Sequence, residues 1–450
     1  MKKNIILKKR GAAVLIAVLF FVIISMILVL GTSSSFMRDY LSYRDFQTSK
    51  NAYYLAEAGL EDAMYRLKQS PAPPVGPTET ITLDGNTVVT TITDVPEGKL
   101  VSSVATTAVN VVRKASAILT QSTIASFDYG GYVGAGGLTM SGSTNIDGSV
   151  FSRGSILGNN SIITGSVTSR GTTGLNGSIT RIINQGTNSM RAGTISNSTI
   201  TGVPYCWSAP SSQMGSPLVT AVCSLLTPVA DRAFPITDTQ MVGSGGWKDV
   251  VITNGATKAC TGGKYQVSSS ETISVPTKID CDLRINGGST LTLGAVVWVT
   301  GDVEIKAGGS VNVDLALGAQ SVPILADPGT ALLRLTKGKI TIEQDAEFNV
   351  GQNPFAQVIL ASWNTSASTG GGNTAIEVED DTLGNLIVYA PYGEVKLKDD
   401  AQMTDMVGYK VTMEDRAKIN YTNNLQNMLI YAGPPAVLTP WVVYDWREAL

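Results

Sequence analysis

Residues 283–291 read LRINGGSTL, and the same grammar returns at 303–311 (VEIKAGGSV), 340–348 (ITIEQDAEF), 395–403 (VKLKDDAQM) and 411–419 (VTMEDRAKI). Each segment runs apolar, polar, apolar, turns a polar corner and resumes with an apolar residue. The seventh position is always small: Ser289, Gly309, Ala346, Ala401 and Ala417. Two inward side chains, a corner that admits only a small one and a resumed strand describe one turn of a parallel β-solenoid. Stacking the turns satisfies the strand edges that each would otherwise leave open. The starts of the segments are spaced as one, two, three and one coils of roughly eighteen residues. Segments such as Ile376-Glu377-Val378 and Leu386-Ile387-Val388 are predicted to supply the other faces. The expectation is a parallel β-solenoid over 283–432.

Working outward, residues 134–202 repeat Gly-Ser followed by Val150, Ile156, Val167 and Ile179. A flexible Gly/Ser linker has no reason to place an aliphatic residue after each Gly-Ser, so irregular Gly/Ser-rich coils are expected there. Between the two stretches, 203–282 carries all four cysteines and reads as a loop-rich insertion. The tail, 433–450, holds Trp441, Tyr444 and Trp446. It reads as an aromatic cap over the last coil, since a solenoid end must cover its open core; an adhesive patch is the other reading.

The chain has 450 residues, too many for one ordinary core, with 15% charged residues, 46 glycines, a net charge of −3 and no histidine. The charge balance gives no sign of a nucleic-acid partner. Without histidine there is no Ser-His-Asp or Cys-His pair and no His-ligated metal. An enzyme built on carboxylates passes this filter, and most others do not. Two acidic groups, Glu377, Glu379, Asp380, Asp381 and then Glu394, Asp399, Asp400, would be brought together by stacked coils. They read as solvated turns balanced by Lys396, Lys398 and Arg416. A Ca²⁺ site or acid–base chemistry on a glycan are the functional alternatives.

The N-terminus is a membrane address. Lys2, Lys3, Lys8, Lys9 and Arg10 precede an apolar run from Ala12 to Leu30 whose only polar side chain is Ser25. As a helix the run spans about 28 Å, close to the hydrocarbon thickness of a bilayer. The flanking cations keep the N-terminus in the cytoplasm and send the remainder outside. No proline occurs from Phe36 to Lys68, and Ala56, Leu60, Ala63 and Leu67 recur on one helical face until Pro71, Pro73 and Pro74 end the helix. Beyond it, two β-branched runs flank Asp84-Gly85-Asn86, a hairpin signal, within a small antiparallel sheet expected over 78–128. Cys206, Cys223, Cys260 and Cys281 all fall on the exported side and suggest two disulfides. Three pairings are open; joining sequence neighbours gives Cys206–Cys223 and Cys260–Cys281. The spacing lacks any C-x₂₋₄-C pair, which disfavours zinc.

Lys8-Lys9-Arg10-Gly11, the apolar run and residues 54–63 (YLAEAGLEDA) together resemble the N-terminal region of PilX-type minor pilins. The resemblance implies a prepilin leader over 1–11, cut between Gly11 and Ala12 by a prepilin peptidase, and a stem helix over 12–69 that assembles with other pilins. The implied stem and assembly residues are Ile16, Ala56, Glu57, Leu60, Ala63 and Leu67. Major pilins usually carry Glu where Ile16 stands. In them that carboxylate pairs with a neighbouring subunit's amine, so Ile16 implies a tip or initiating subunit, which has no neighbour above it. The implied function is structural: filament assembly or priming, with the solenoid adhering to a surface glycan or protein. No catalytic, cofactor-binding or metal residue follows from the resemblance. Two alternatives remain, a membrane-anchored β-helix enzyme acting on polysaccharide and an envelope anchor unrelated to pili.

Overall fold

The computed structural model describes residues 5–68, 78–95, 98–120, 123–185, 188–206, 224–350, 353–422, 425–426, 428–431 and 442–449, and the chain divides into two compact units. In the first, the proline-free N-terminal sequence forms one helix, α1 (Ile5–Lys68), of 64 residues. Every described apolar side chain from Val14 to Leu30 is exposed. Further along, Ala52, Ala56, Gly59, Leu60 and Ala63 are buried against a small sheet. That sheet contains β1 (Thr78–Leu83), β2 (Asn86–Val95), β3 (Gly98–Thr106) and β4 (Val112–Thr120). The β1–β2 turn has Asp84 and Gly85 at φ +50° and +77°, the conformation a two-residue hairpin demands. β3 and β4 pair antiparallel, with Leu100 opposite Ile118.

The fifth strand of this sheet is Val442–Ala449, hydrogen-bonded beside β4. The aromatic tail is therefore not a solenoid cap over its described part. An alternating run with a free strand edge within reach is drawn into that edge, and this stretch closes the head sheet.

The second unit is a parallel β-solenoid with three strands per coil, seen most simply in Thr277–Ile279, Asp282–Ile285 and Thr290–Leu293. Leu283, Val303, Ile340, Ile376, Val395, Val411 and Leu138 stand in register on one face, all fully or almost fully buried. Their side chains and those of the other faces fill a single inner core. Two expectations need correction. The interval from Val303 to Ile340 is one coil, not two, because loops at 314–321 and 327–339 swell it; the interval from Ile340 to Val395 is two, not three. Ile376-Glu377-Val378 lies on the same face as the repeats rather than on another. Insertions at corners leave strand register intact, so residue counting misjudged the coil number.

Winding order differs from chain order. The chain joins the solenoid in mid-stack at Gly131, winds outward past Val150, Val167 and Met190, and reaches Leu225. It starts again at the opposite end with Ala256–Lys258 and winds back until Met406 pairs with Gly131 and Ile419 with Ile146. Beside this seam, Thr123–Ala125 and Met428–Ile430 pair antiparallel. The predicted cysteine-bearing insertion thus includes true coil strands from Ala256 onward. Its middle returns along the outside of the solenoid through α2 (Asp238–Val242) and α3 (Trp247–Asn254). Ile236, Met241, Trp247, Val250 and Val251 form a second apolar layer there with Trp298, Leu325, Ile359 and Tyr389.

Candidate functional site

The stem's sequence motif is spent within the chain. A methyl group on Gly59 would lie 2.5 Å from Val88 Cγ1 and 2.7 Å from Ser103 Oγ, so helix and sheet approach as closely as glycine allows. Ala56, Leu60 and Ala63 flank it, each no more than 1% exposed, while Glu57 and Leu67 are half-buried. Arg113 Nη2 donates to Ser49 Oγ at 2.7 Å, and Arg66 bridges Asp62 on the helix and Glu79 Oε1 on β1, the latter at 2.7 Å. Residues that sequence reasoning marked for assembly therefore hold the head to its own helix. What the helix leaves outward is aromatic: Tyr40, Tyr43, Phe46, Tyr54 and Tyr65 are all more than half exposed. Ile16 is 68% exposed within the bare apolar stretch, and Gly11 and Ala12 lie on the same continuous helix. This is the one helix, among the described residues, long and apolar enough to cross a membrane.

The acidic turns have a conformational cause. At the solenoid corners Gly288 and Gly308 adopt φ +70° and +71°, and in other coils Asp345 and Asp381 take the same place at +57° and +49°, while Asp399 and Asp415, one residue earlier in their corners, adopt +49° and +39°. Aspartate tolerates the left-handed region better than most residues with a Cβ. Stacking does bring Asp380, Asp381 and Asp400 together, their oxygens within 4.8 Å of one another. Asp380 also accepts from the Asp400 N–H at 3.3 Å, and its charge raises the Asp381 carboxyl above its ordinary range. Yet Arg416 grips both oxygens of Asp400, at 2.7 and 2.5 Å. Glu377, Glu394 and Glu414 pair with Lys398, Lys410 and Lys396. A cation would have to displace a bidentate guanidinium, and a general acid would have to work beside one.

Two aspartates beneath the outer layer escaped sequence reading. Asp327 is fully buried and receives Arg334 Nε at 2.8 Å, Arg334 Nη2 at 3.0 Å, Lys248 Nζ at 2.9 Å and the Gly329 N–H at 2.9 Å. Burial would raise its pKa, but these donors together hold it below the ordinary carboxylate range. It ties α3, through Lys248, to the solenoid wall. Asp405 is equally buried, but neither of its oxygens has a hydrogen-bond partner of ordinary geometry. Burial pushes its pKa well above the usual range, opposed only by the Met406 N–H. Nothing in a run such as Thr404-Asp405-Met406 distinguishes a buried aspartate from a turn residue.

Of the cysteines, Cys260 and Cys281 form a disulfide, joining neighbours in sequence. Cys206 is also disulfide-bonded; Cys223 lies outside the described residues.

Fold and site together describe a chain with a long apolar helix docked on a small antiparallel sheet in one unit and a parallel β-solenoid in the other. The sequence matches no protein-family model and no curated protein. Among solved structures the chain is similar to the competence-associated pilin ComZ from Thermus thermophilus, at 11% identity, over 89% of this chain and 97% of that one, with a TM-score of 0.31. So loose a likeness bears no weight for fold or role.

Proposed function

We propose that this chain is a structural subunit of a type IV pilin-like filament that carries the β-solenoid as an insertion in its head sheet. The observation behind it is the division of α1. One half is apolar and bare, while the other is docked on its own small sheet by Gly59 and its small neighbours. A bare apolar helix needs lipid before assembly and other helices afterwards. On this reading a prepilin peptidase cuts between Gly11 and Ala12, and the mature helix leaves the cytoplasmic membrane to join other pilins. The outward aromatics Tyr40, Tyr43, Phe46 and Tyr54 take the assembly role that Ala56, Leu60 and Ala63 cannot. Ile16, in place of an acid, suits a tip or initiating position, and the solenoid is what the tip displays at the cell surface for adhesion.

N-terminal sequencing of the mature protein tests this. The reading requires Ala12 as the first residue, and Gly11→Ala should leave an uncut precursor. A chain that still begins at Met1, or one trimmed beyond Leu30, would make it an ordinary anchor or a secreted protein instead.

A further inference from the structure

The outward positions of the first solenoid face form a column one strand spacing apart. From Trp298 through Tyr389, Val407 and Tyr132 to Phe151 the column is apolar and almost wholly covered. The next coils place Thr168, Arg191 and Tyr205 in the same column. Here the returning segment stands off the wall. It is held by Val229 N–H to Gly174 O at 3.1 Å, Arg170 Nε to Val229 O at 3.2 Å and Arg153 Nε to Asp231 Oδ1 at 2.9 Å. The gap it leaves is a cleft of about 390 Å³, within the range of small-ligand sites.

Tyr129 and Phe151 line one part of the cleft, their rings 5.8 Å apart, and Thr168 and Ser189 offer hydroxyls. Two arginines, Arg191 and Arg232, complete it, and no carboxylate lines it. Neither arginine has a carboxylate partner among the described residues. Arg191 lies instead over the Tyr205 ring, at 4.4 Å from its centroid. Elsewhere in the solenoid Lys306, Lys337, Arg334 and Arg416 are each paired with a carboxylate, while Arg170 bonds only to backbone carbonyls.

Two unneutralised guanidiniums, neutral hydroxyls and an aromatic wall match a ligand with a negative charge, hydroxyl groups and an apolar ring face. With about 4.8 Å between coils, Phe151 and Arg191 stand roughly 10 Å apart along the stack, a reach of more than one sugar ring. A nucleic-acid strand fits less well. It would call for a basic track, whereas this chain carries a net charge of −3. We propose that this cleft binds an anionic saccharide, with Arg191 and Arg232 on its acidic groups and the half-buried Tyr129 ring, backed by Phe151, against a sugar ring. The proposal places the solenoid outside the cytoplasm, as the filament reading does, but needs no filament.

The test is calorimetric titration of the full-length protein in nanodiscs with trigalacturonate, a sulfated trisaccharide and neutral maltotriose. At least one acidic trisaccharide should bind tenfold or more tightly than maltotriose, and weaken as salt is raised. The double variant Arg191→Gln, Arg232→Gln should lose at least tenfold in that affinity with an unchanged melting temperature, and Arg191→Lys should retain part of it. Equal binding of acidic and neutral sugars, absence of binding by both acidic ones, or wild-type affinity in the double variant would overturn the proposal. So would tighter binding of an oligothymidylate. N-terminal sequencing reads the filament proposal separately, so either can fail alone.

Discussion

Leu291 and Leu293 in a solenoid coil are fully buried, whereas Leu15, Leu19 and Phe21 on the helix are 71%, 62% and 74% exposed. Both stretches are rich in aliphatic residues, and composition alone does not separate them. The difference is where the partner comes from. A coil receives its neighbours from the same chain, and even the outer face of the solenoid is roofed by α2 and α3. The first half of α1 receives none among the described residues, and so large a bare apolar surface calls for lipid or another molecule. One unit is finished by its own sequence; the other is finished by its surroundings.

That contrast can be broken most sharply at Asp327. Removing its carboxylate strands Arg334 and Lys248, and loss of one partner of a buried ion pair costs roughly 3–5 kcal/mol. Because both cations are partly exposed, Asp327→Ala should fall at the low end, read as a lower solenoid melting temperature with unchanged membrane insertion. Its depressed pKa contributes stability above about pH 4 that is lost as pH falls through the folded value. Asp327→Asn should therefore flatten the acid limb of the stability profile.

The reverse experiment is Leu19→Arg, which should cost roughly 3 kcal/mol of insertion free energy while leaving head and solenoid melting alone. A drop in their stability would mean that the bare half has a partner in its own chain. Gly59→Leu sharpens the line between the two halves of α1. Overpacking of this kind costs about 1–3 kcal/mol, and it should loosen the head sheet, seen as faster amide exchange in β2 and β3, without changing insertion. The smallest effect is a gain. Asp405→Asn should stabilise the solenoid by about 1–2 kcal/mol at neutral pH, since it replaces an unpartnered buried acid with a neutral amide. The raised pKa means that Asp405 costs nothing by ionisation below the ordinary aspartate range, and the cost grows as pH rises from there towards its folded value. The gain should accordingly shrink towards pH 4, and a pH-independent gain would show that ionisation is not its source.

Much of this was legible in the residues. The apolar run, the lack of proline in the helix and the small seventh position of the repeats are local signals, and each led to the right element type. Coil counting failed where loops such as 327–339 lengthen one turn, because a solenoid tolerates corner insertions without losing register. The fate of Trp446 was hidden for another reason. Val442–Ala449 pairs with a strand more than three hundred residues earlier, and no local pattern records so distant a partner. The face of Ala56, Leu60 and Ala63 was visible but ambiguous, since packing on a sheet and packing on another helix ask for the same residue types. Asp405 left no trace at all.

The mid-stack seam has a mechanical consequence. The chain arrives at the solenoid and departs from it at touching coils, with Thr123–Ala125 bonded to Met428–Ile430. A tensile load passed along the backbone would be carried from one of these segments straight to the other. The coils stretching away on both sides are outside the load path, like two arms hung from one shoulder. Either arm could lengthen or shorten by whole turns without changing how force crosses the joint.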